Sequence, residues 1–245
     1  MTVSREWQSF LEPFNFAKIT LSVPRLTDSE SQVILFKRQD QIRYIWFRVE
    51  LQQYDCTVCA NQDTEILGLS DANNSFVADA FKSLFLVLTK WEPRGDLTLD
   101  ITIYSPSDDK HCFKYLRFYS DVGSEYIDFS PPLTDSNGLG LVNDPEHGWT
   151  SGRQLHTPNV YAIERTFQEM MGEGPFDDEE PEMEWWRNLP SIPVVGTVLL
   201  RQQTRRRWNP VALANMFTRF PNLQELIYEP WREFSEIQFQ TDRRK

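Results

Sequence analysis

Much of what enzymes usually need is missing from this sequence. Only three histidines, His111, His147 and His156, occur in 245 residues, and no two of them have the spacing of a metalloprotease pair. No glycine-rich loop is built to cradle a phosphate, and no serine sits in a nucleophile-elbow pattern. Acidic residues are plentiful, but none is isolated in a glycine-rich active-site context. Hydrolase and oxidoreductase chemistry therefore have no positive support, and the expectation is a non-enzymatic protein without a cofactor or a metal.

Long apolar runs are absent as well. Crossing a bilayer takes roughly 18 to 20 consecutive apolar residues; no segment approaches this, and Met1 to Trp7 lacks the apolar stretch of a secretory signal. The three cysteines, Cys56, Cys59 and Cys112, cannot all pair within one chain, which suits a reducing compartment. The chain reads as intracellular, in cytoplasm or nucleus, with no membrane partner. Positive charge is also scarce: 25 basic against 36 acidic side chains give a formal charge of −11. That balance repels phosphate backbones and disfavours nucleic acid as a partner.

Aromatic residues, by contrast, are abundant. Their 13% share supplies a packed core and argues against a disordered chain, and the length suits one large α/β unit or two small domains. Tyr44, Trp46, Arg48 and Glu50 alternate with Ile45, Phe47, Val49 and Leu51, the two-residue period of a half-buried strand whose polar face is a candidate contact surface. Leu97, Leu99, Ile101 and Ile103 mark a second strand. Ser29 to Arg38 predicts a short helix. Ser75 is expected to cap another, in which Val77, Phe81, Leu84, Phe85 and Leu88 recur at helical spacing and which ends near Trp91, before Pro93 and Gly95. Thr157-Pro158 opens a further helix, with Val160, Ile163, Phe167, Met170 and Met171 on one stripe. Asn209-Pro210 caps the helix bearing Leu213, Met216, Phe217 and Phe220.

A recurring order underlies these segments: a helix, then a strand with Leu-x-x-Leu-x-Leu-like spacing. Phe16, Ile19 and Leu21 show it first, then Val195, Val198 and Leu200, then Leu223, Leu226 and Tyr228. Val198 and Leu226 are 28 residues apart, within the leucine-rich range of about 20 to 29. Ile45 and Ile101 are 56 apart, about two such units, so one repeat is either swollen or degenerate. The expected fold class is therefore α/β, an irregular leucine-rich-repeat-like helix-strand solenoid. It is expected to be one domain over 1–245 with insertions near 54–75, 105–152 and 172–188, whose usual work is to hold another macromolecule.

Three clusters carry possible chemistry. Cys56, Cys59, His111 and Cys112 would complete a tetrahedral zinc or enzymatic site if neighbouring strands brought them together, although the spacing is wider than usual and incidental thiols are the plainer reading. Arg201, Arg205, Arg206 and Arg207, followed by Trp208, form the one dense basic patch. It either neutralises the chain's own acidic run, binds a partner, or binds nucleic acid through Arg205, Arg206 and Arg207. Asp177 to Glu184 reads as a self-repelling solvated loop, with a basic partner as the sharper alternative. Beside it, Trp185 and Trp186 could not both enter one core from a regular strand.

Several strings carry a family resemblance: Arg5-Glu6-Trp7-Gln8, Arg43 to Leu51, Tyr54-Asp55-Cys56 with Cys59, Tyr104-Ser105-Pro106-Ser107-Asp108, Arg201 to Pro210, and Tyr228-Glu229-Pro230-Trp231-Arg232. Together they resemble the leucine-rich-like region that follows the F-box in a large group of fungal F-box-type proteins. The resemblance implies a substrate receptor of a ubiquitin ligase, in which the F-box grips a Skp1-type adaptor and the remainder binds a protein target. The F-box segment expected before Arg5 is missing, which puts adaptor binding in doubt, and further repeats are expected after Lys245. The expected contact residues are Tyr44, Trp46, Arg48, Glu50, Arg205, Arg206, Arg207, Trp208 and Trp231.

Overall fold

Alternating apolar and polar residues decide the centre of the molecule. The computed structural model describes residues 5–55, 71–114, 140–167, 169–171, 174–176, 179–201 and 204–229. Its elements run α1 (Arg5–Ala17), β1 (Lys18–Ser22), α2 (Val23–Thr27), α3 (Ser29–Arg38), β2 (Tyr44–Glu50), α4 (Asp71–Leu88), β3 (Leu97–Tyr104), β4 (Trp149–Thr150), β5 (Arg153–Gln154), α5 (Val160–Phe167), β6 (Glu169–Met170), α6 (Glu179–Asn188), β7 (Val195–Leu200), β8 (Arg207–Trp208), α7 (Pro210–Phe217) and β9 (Glu225–Tyr228). No described helix is long and apolar enough to cross a membrane.

The chain divides by contacts into two compact units. The first comprises Met1–Leu51, Leu69–Tyr104 and Glu169–Trp231; the second comprises Gln52–Gly68, Ser105–Gln168 and Arg232–Lys245. The first unit is a mixed α/β structure around a five-stranded sheet in the order β1-β2-β3-β7-β9, every neighbouring pair parallel. Val198 pairs with Leu226, so the 28-residue spacing is the step between neighbouring strands. Ile45 pairs with Leu99 rather than Ile101, so the wider spacing found in the sequence is offset by two residues from the true register.

On one sheet face Ile45, Phe47, Val49, Leu99, Ile101 and Ile103 are fully buried. Helix α4 covers them: Val77, Phe81, Leu84, Phe85 and Leu88 fall on one stripe with no exposure, and the rings of Phe47 and Phe81 meet edge to face at 5.8 Å. This helix begins at Asp71, so Ser75 lies inside it and does not cap it. The cap expected at Asn209 is present, and Asp28 caps α3. Asp28 accepts from the Ser31 amide at 2.7 Å, and Asn209 accepts from the amides of Val211 and Ala212 at 2.9 and 3.2 Å, with Pro210 at the first helical position.

The acidic run departs from expectation. Glu179–Asn188 is the helix α6; its glutamates suit the positive end of a helix dipole, and Pro181 lies in the first turn, where amides have no intrahelical partner. Residues 177 and 178 lie outside the described residues. On this helix the two indoles meet edge to face at 4.7 Å, Trp186 fully buried and donating to Glu182 at 3.0 Å, Trp185 half-buried against Phe176.

One glycine is fixed by a close approach. The register of β3 on β7 slips between Leu97 and Thr98, leaving Gly196 opposite the Gly95 turn, where an added Cβ would lie 2.0 Å from the Gly95 carbonyl oxygen. Because that obstacle is backbone, Gly196→Ala is expected to destabilise the protein by about 1 to 3 kcal/mol. A lowered urea midpoint is the expected result, and an unchanged one would mean that the two strands separate there at no cost.

Candidate functional site

The sheet face opposite α4 carries the polar partners of the core residues. Register places Tyr44 beside Thr98, Trp46 beside Asp100, Arg48 beside Thr102 and Glu50 beside Tyr104. The side chains bond along the diagonal. Tyr44 donates its hydroxyl to Asp100, the Trp46 indole donates to the Thr102 hydroxyl at 2.9 Å, and Arg48 donates to the Tyr104 hydroxyl, which in turn donates to Glu50 at 2.6 Å. The three diagonal links join residues 56 apart and the Tyr104 to Glu50 bond, directly across the register, joins residues 54 apart, so the wider spacing belongs to a ladder of side chains. The Arg48 guanidinium also lies over two rings, 4.8 Å from the centroid of Trp46 and 4.9 Å from that of Tyr104.

Arg201, just beyond β7, donates to Asp100 and to the Tyr44 hydroxyl at 3.0 Å. It matches a carboxylate that is wholly buried, a position a charge tolerates only when paired. Burial pushes the Tyr104 hydroxyl up to about 12, aided by its hydrogen bond to Glu50 and opposed by Arg48. Tyr104 is therefore a fixed hydrogen-bond donor across the physiological range.

Exposure is graded across this face. Lys18 and Thr20 on β1 are exposed, Tyr44, Trp46 and Arg48 on β2 are half-buried, and Asp100, Thr102 and Tyr104 on β3 are buried. Where the face opens, Thr20, Ser22, Arg25, Arg48, Glu50 and Tyr104 line a cleft of about 270 Å³ at the carboxyl ends of three parallel strands.

The fold brings Tyr44, Trp46, Arg48 and Glu50 together on this face, whereas the basic stretch divides. Arg205 and Arg206 are each 3% exposed and Arg207 is half-buried in β8. Trp208 is a core residue, its ring 5.4 Å from Phe81, because an indole beside the apolar α4 stripe gains more from burial than from water. Its expected role at a surface is corrected accordingly. Trp231 lies outside the described residues. Sequence reasoning left out Arg25, Asp100, Thr102 and Tyr104; the signal for the last three was the polar half of the β3 alternation.

In the second unit, β4 and β5 form a hairpin across Ser151 and Gly152, both at positive φ. His111, Tyr54, His147, Asp144 and Lys114 cluster there. The Tyr54 ring stacks on His111 at 5.3 Å, the two imidazoles are 5.2 Å apart, and Asp144 accepts from His147 and Lys114 at 2.8 Å each. Cys112 is buried, and its carbonyl accepts from Trp149 and Gln154 at 2.8 Å each. Cys56 and Cys59 lie outside the described residues. Among those described, no group of three His, Cys, Asp or Glu side chains is arranged to hold a metal. No family model, curated protein or solved structure matches the chain.

Burial holds the His111 imidazole below the usual histidine range, with the Tyr54 carbonyl opposing and the His147 and Lys114 charges reinforcing the effect. Below about pH 6.5 the unfolded chain therefore takes up a proton that folded His111 refuses. Stability from this group is complete above that pH and is lost as the pH falls towards the lower folded value. The urea midpoint is expected to decline as the pH falls below about 6.5 and to decline less in His111→Gln; an equal decline in the variant would assign the effect to other groups.

Proposed function

We propose that the protein is a non-enzymatic protein-interaction module that recognises a protein target through the open polar face of its sheet. The observation that carries this reading is the clamped Trp46, Arg48 and Tyr104 cluster on a graded, half-exposed surface. Aromatic and arginine side chains contribute much of the binding energy when an interface buries them, and side chains already fixed by stacking and hydrogen bonds lose little entropy on binding. Few charged groups on this face are left to be desolvated without a partner, since Asp100 already has Arg201 and Glu50 already has Tyr104.

The five parallel strands follow one another in chain order, and the step between β7 and β9 has a leucine-rich length. Both features favour a leucine-rich-repeat-like stacking of units and a role like that of the target-binding region of fungal F-box proteins, delivering a target to a ubiquitin ligase. Nucleic-acid binding through Arg205, Arg206 and Arg207 is a weaker reading, because two of those three guanidiniums are buried.

Proximity labelling with the wild-type chain and with Trp46→Ala tests the recognition face. A set of proteins labelled by the wild type and lost from the variant, with folding retained by circular dichroism, is the expected outcome. Identical sets would remove the face from target recognition. Affinity for a Skp1-type adaptor is a separate measurement: binding supports the ligase role, and its absence leaves a free-standing interaction module.

A further inference from the structure

The cleft beside Arg48 has a charge opposite to that of the chain as a whole. Among the described residues, the polar surface of β1 and β2, with α2 beside it, presents Lys18, Arg25 and Arg48 against the carboxylate of Glu50, in a protein with a formal charge of −11. Asp100, the next carboxylate across the face, is covered by Arg201. The Arg48 guanidinium is clamped by two rings, and Arg25 is tied to the sheet through the Thr20 carbonyl at 3.1 Å. Two guanidiniums held about one cleft are suited to an oxyanion.

We propose that this cleft seats a carboxylate from an extended acidic segment of a partner protein. The inference rests on the reading of the sheet face as a target-recognition surface and names the chemistry that surface selects. Among the described residues that line the cleft, Arg25, Arg48 and Glu50 sum to a single positive charge, which one carboxylate balances. A phosphate, with roughly −1.5 to −2 charges at neutral pH, would leave Glu50 facing an excess of negative charge. A volume of about 270 Å³ accommodates an acidic side chain.

The face also sets a spacing. Lys18 stands level with Tyr44, four residues before Arg48 on the parallel strand, which is roughly 13 Å at about 3.3 Å per residue. Lys18 lies over the Tyr44 ring, 5.6 Å from its centroid. An extended chain running along β1 and β2 therefore meets Lys18 and the Arg25 and Arg48 pair with acidic residues four positions apart, both pointing to the same side.

Fluorescence anisotropy with a labelled extended peptide carrying two glutamates four apart among serines tests this on the full chain. Saturable binding is expected, about tenfold weaker for the matching glutamine peptide and about tenfold weaker in Arg25→Gln, an exposed position whose replacement leaves the fold intact. Lys18→Gln is expected to weaken the two-glutamate peptide while leaving a one-glutamate peptide unchanged. Equal affinity for the glutamate and glutamine peptides, tighter binding of a phosphoserine peptide, equal binding of free glutamate, or no saturation by about millimolar peptide would each overturn the proposal. Should any of these occur while Trp46→Ala still abolishes partner labelling, the acidic ligand fails and the recognition face survives.

Discussion

The parallel register of β2 on β3 is the constraint on which the rest of the first unit depends. Side chains alternate across a strand, so a slip of one residue would carry Tyr44, Trp46, Arg48 and Glu50 into the core and expel Ile45, Phe47 and Val49. Three fully buried residues on each strand oppose that slip; at about 1.5 to 3 kcal/mol for burying each large apolar side chain, the core outweighs any preference among the polar residues. The diagonal ladder on the opposite face follows from this register. Its hydrogen bonds, about 0.5 to 1.5 kcal/mol each, are too weak to set the pairing alone. The hydrophobic face thus positions the recognition face through the thickness of a single sheet.

The ladder closes at its inner end on a buried charge. Asp100 is fully buried on β3 and Arg201 reaches it from the end of β7, with Tyr44 bonded to both. A buried pair of this kind contributes little beyond an apolar replacement, yet removal of one partner leaves a costly lone charge. Its value here is geometric. Arg201 ties the chain leaving β7 to β2 and β3 across the sheet, and the Thr204 hydroxyl, donating to the Ile101 carbonyl at 2.7 Å, holds the same segment over β3. The face is therefore closed towards β3 and open towards β1, where the cleft lies.

Much of this architecture was legible in the sequence because strand alternation and helix caps are local signals. The patterns at Tyr44 to Leu51 and Leu97 to Ile103, and the cap at Asn209, lie where they were read. Errors arose where tertiary packing overrode local preference. The acidic run was read as a loop because its charges repel, but Trp186 anchors α6 beneath Phe81 and Phe85, and only Glu182 of its three first-turn glutamates is buried. Arg205, Arg206 and Trp208 form one basic aromatic string in sequence, yet β8 pairs with β6 and turns Trp208 onto Phe81. The site was only half legible: the β2 residues announced themselves by alternation, whereas Arg25 carries no local signature and Arg201, read as part of the basic patch, joins the site only through the folded geometry.

The two flanks of the sheet differ in a way that bears on how the protein associates. Around β1 the exposed groups are Lys18, Thr20 and Arg25, with the apolar Trp7, Phe10 and Phe14 of α1 exposed beside them, whereas β9 exposes Leu226, Ile227 and Tyr228 together with Glu225. Charge at β1 discriminates among partners by the cost of leaving an unmatched ion buried; the apolar surface present on both flanks gives affinity with little discrimination. The clamped arginine belongs to the discriminating flank. Stacked between Trp46 and Tyr104, its guanidinium has already lost the rotamer freedom that a free arginine would surrender on binding, and the ring faces that hold it become part of the same contact surface. Selectivity and pre-organisation thus reside in the same few side chains, positioned by the register that the core enforces.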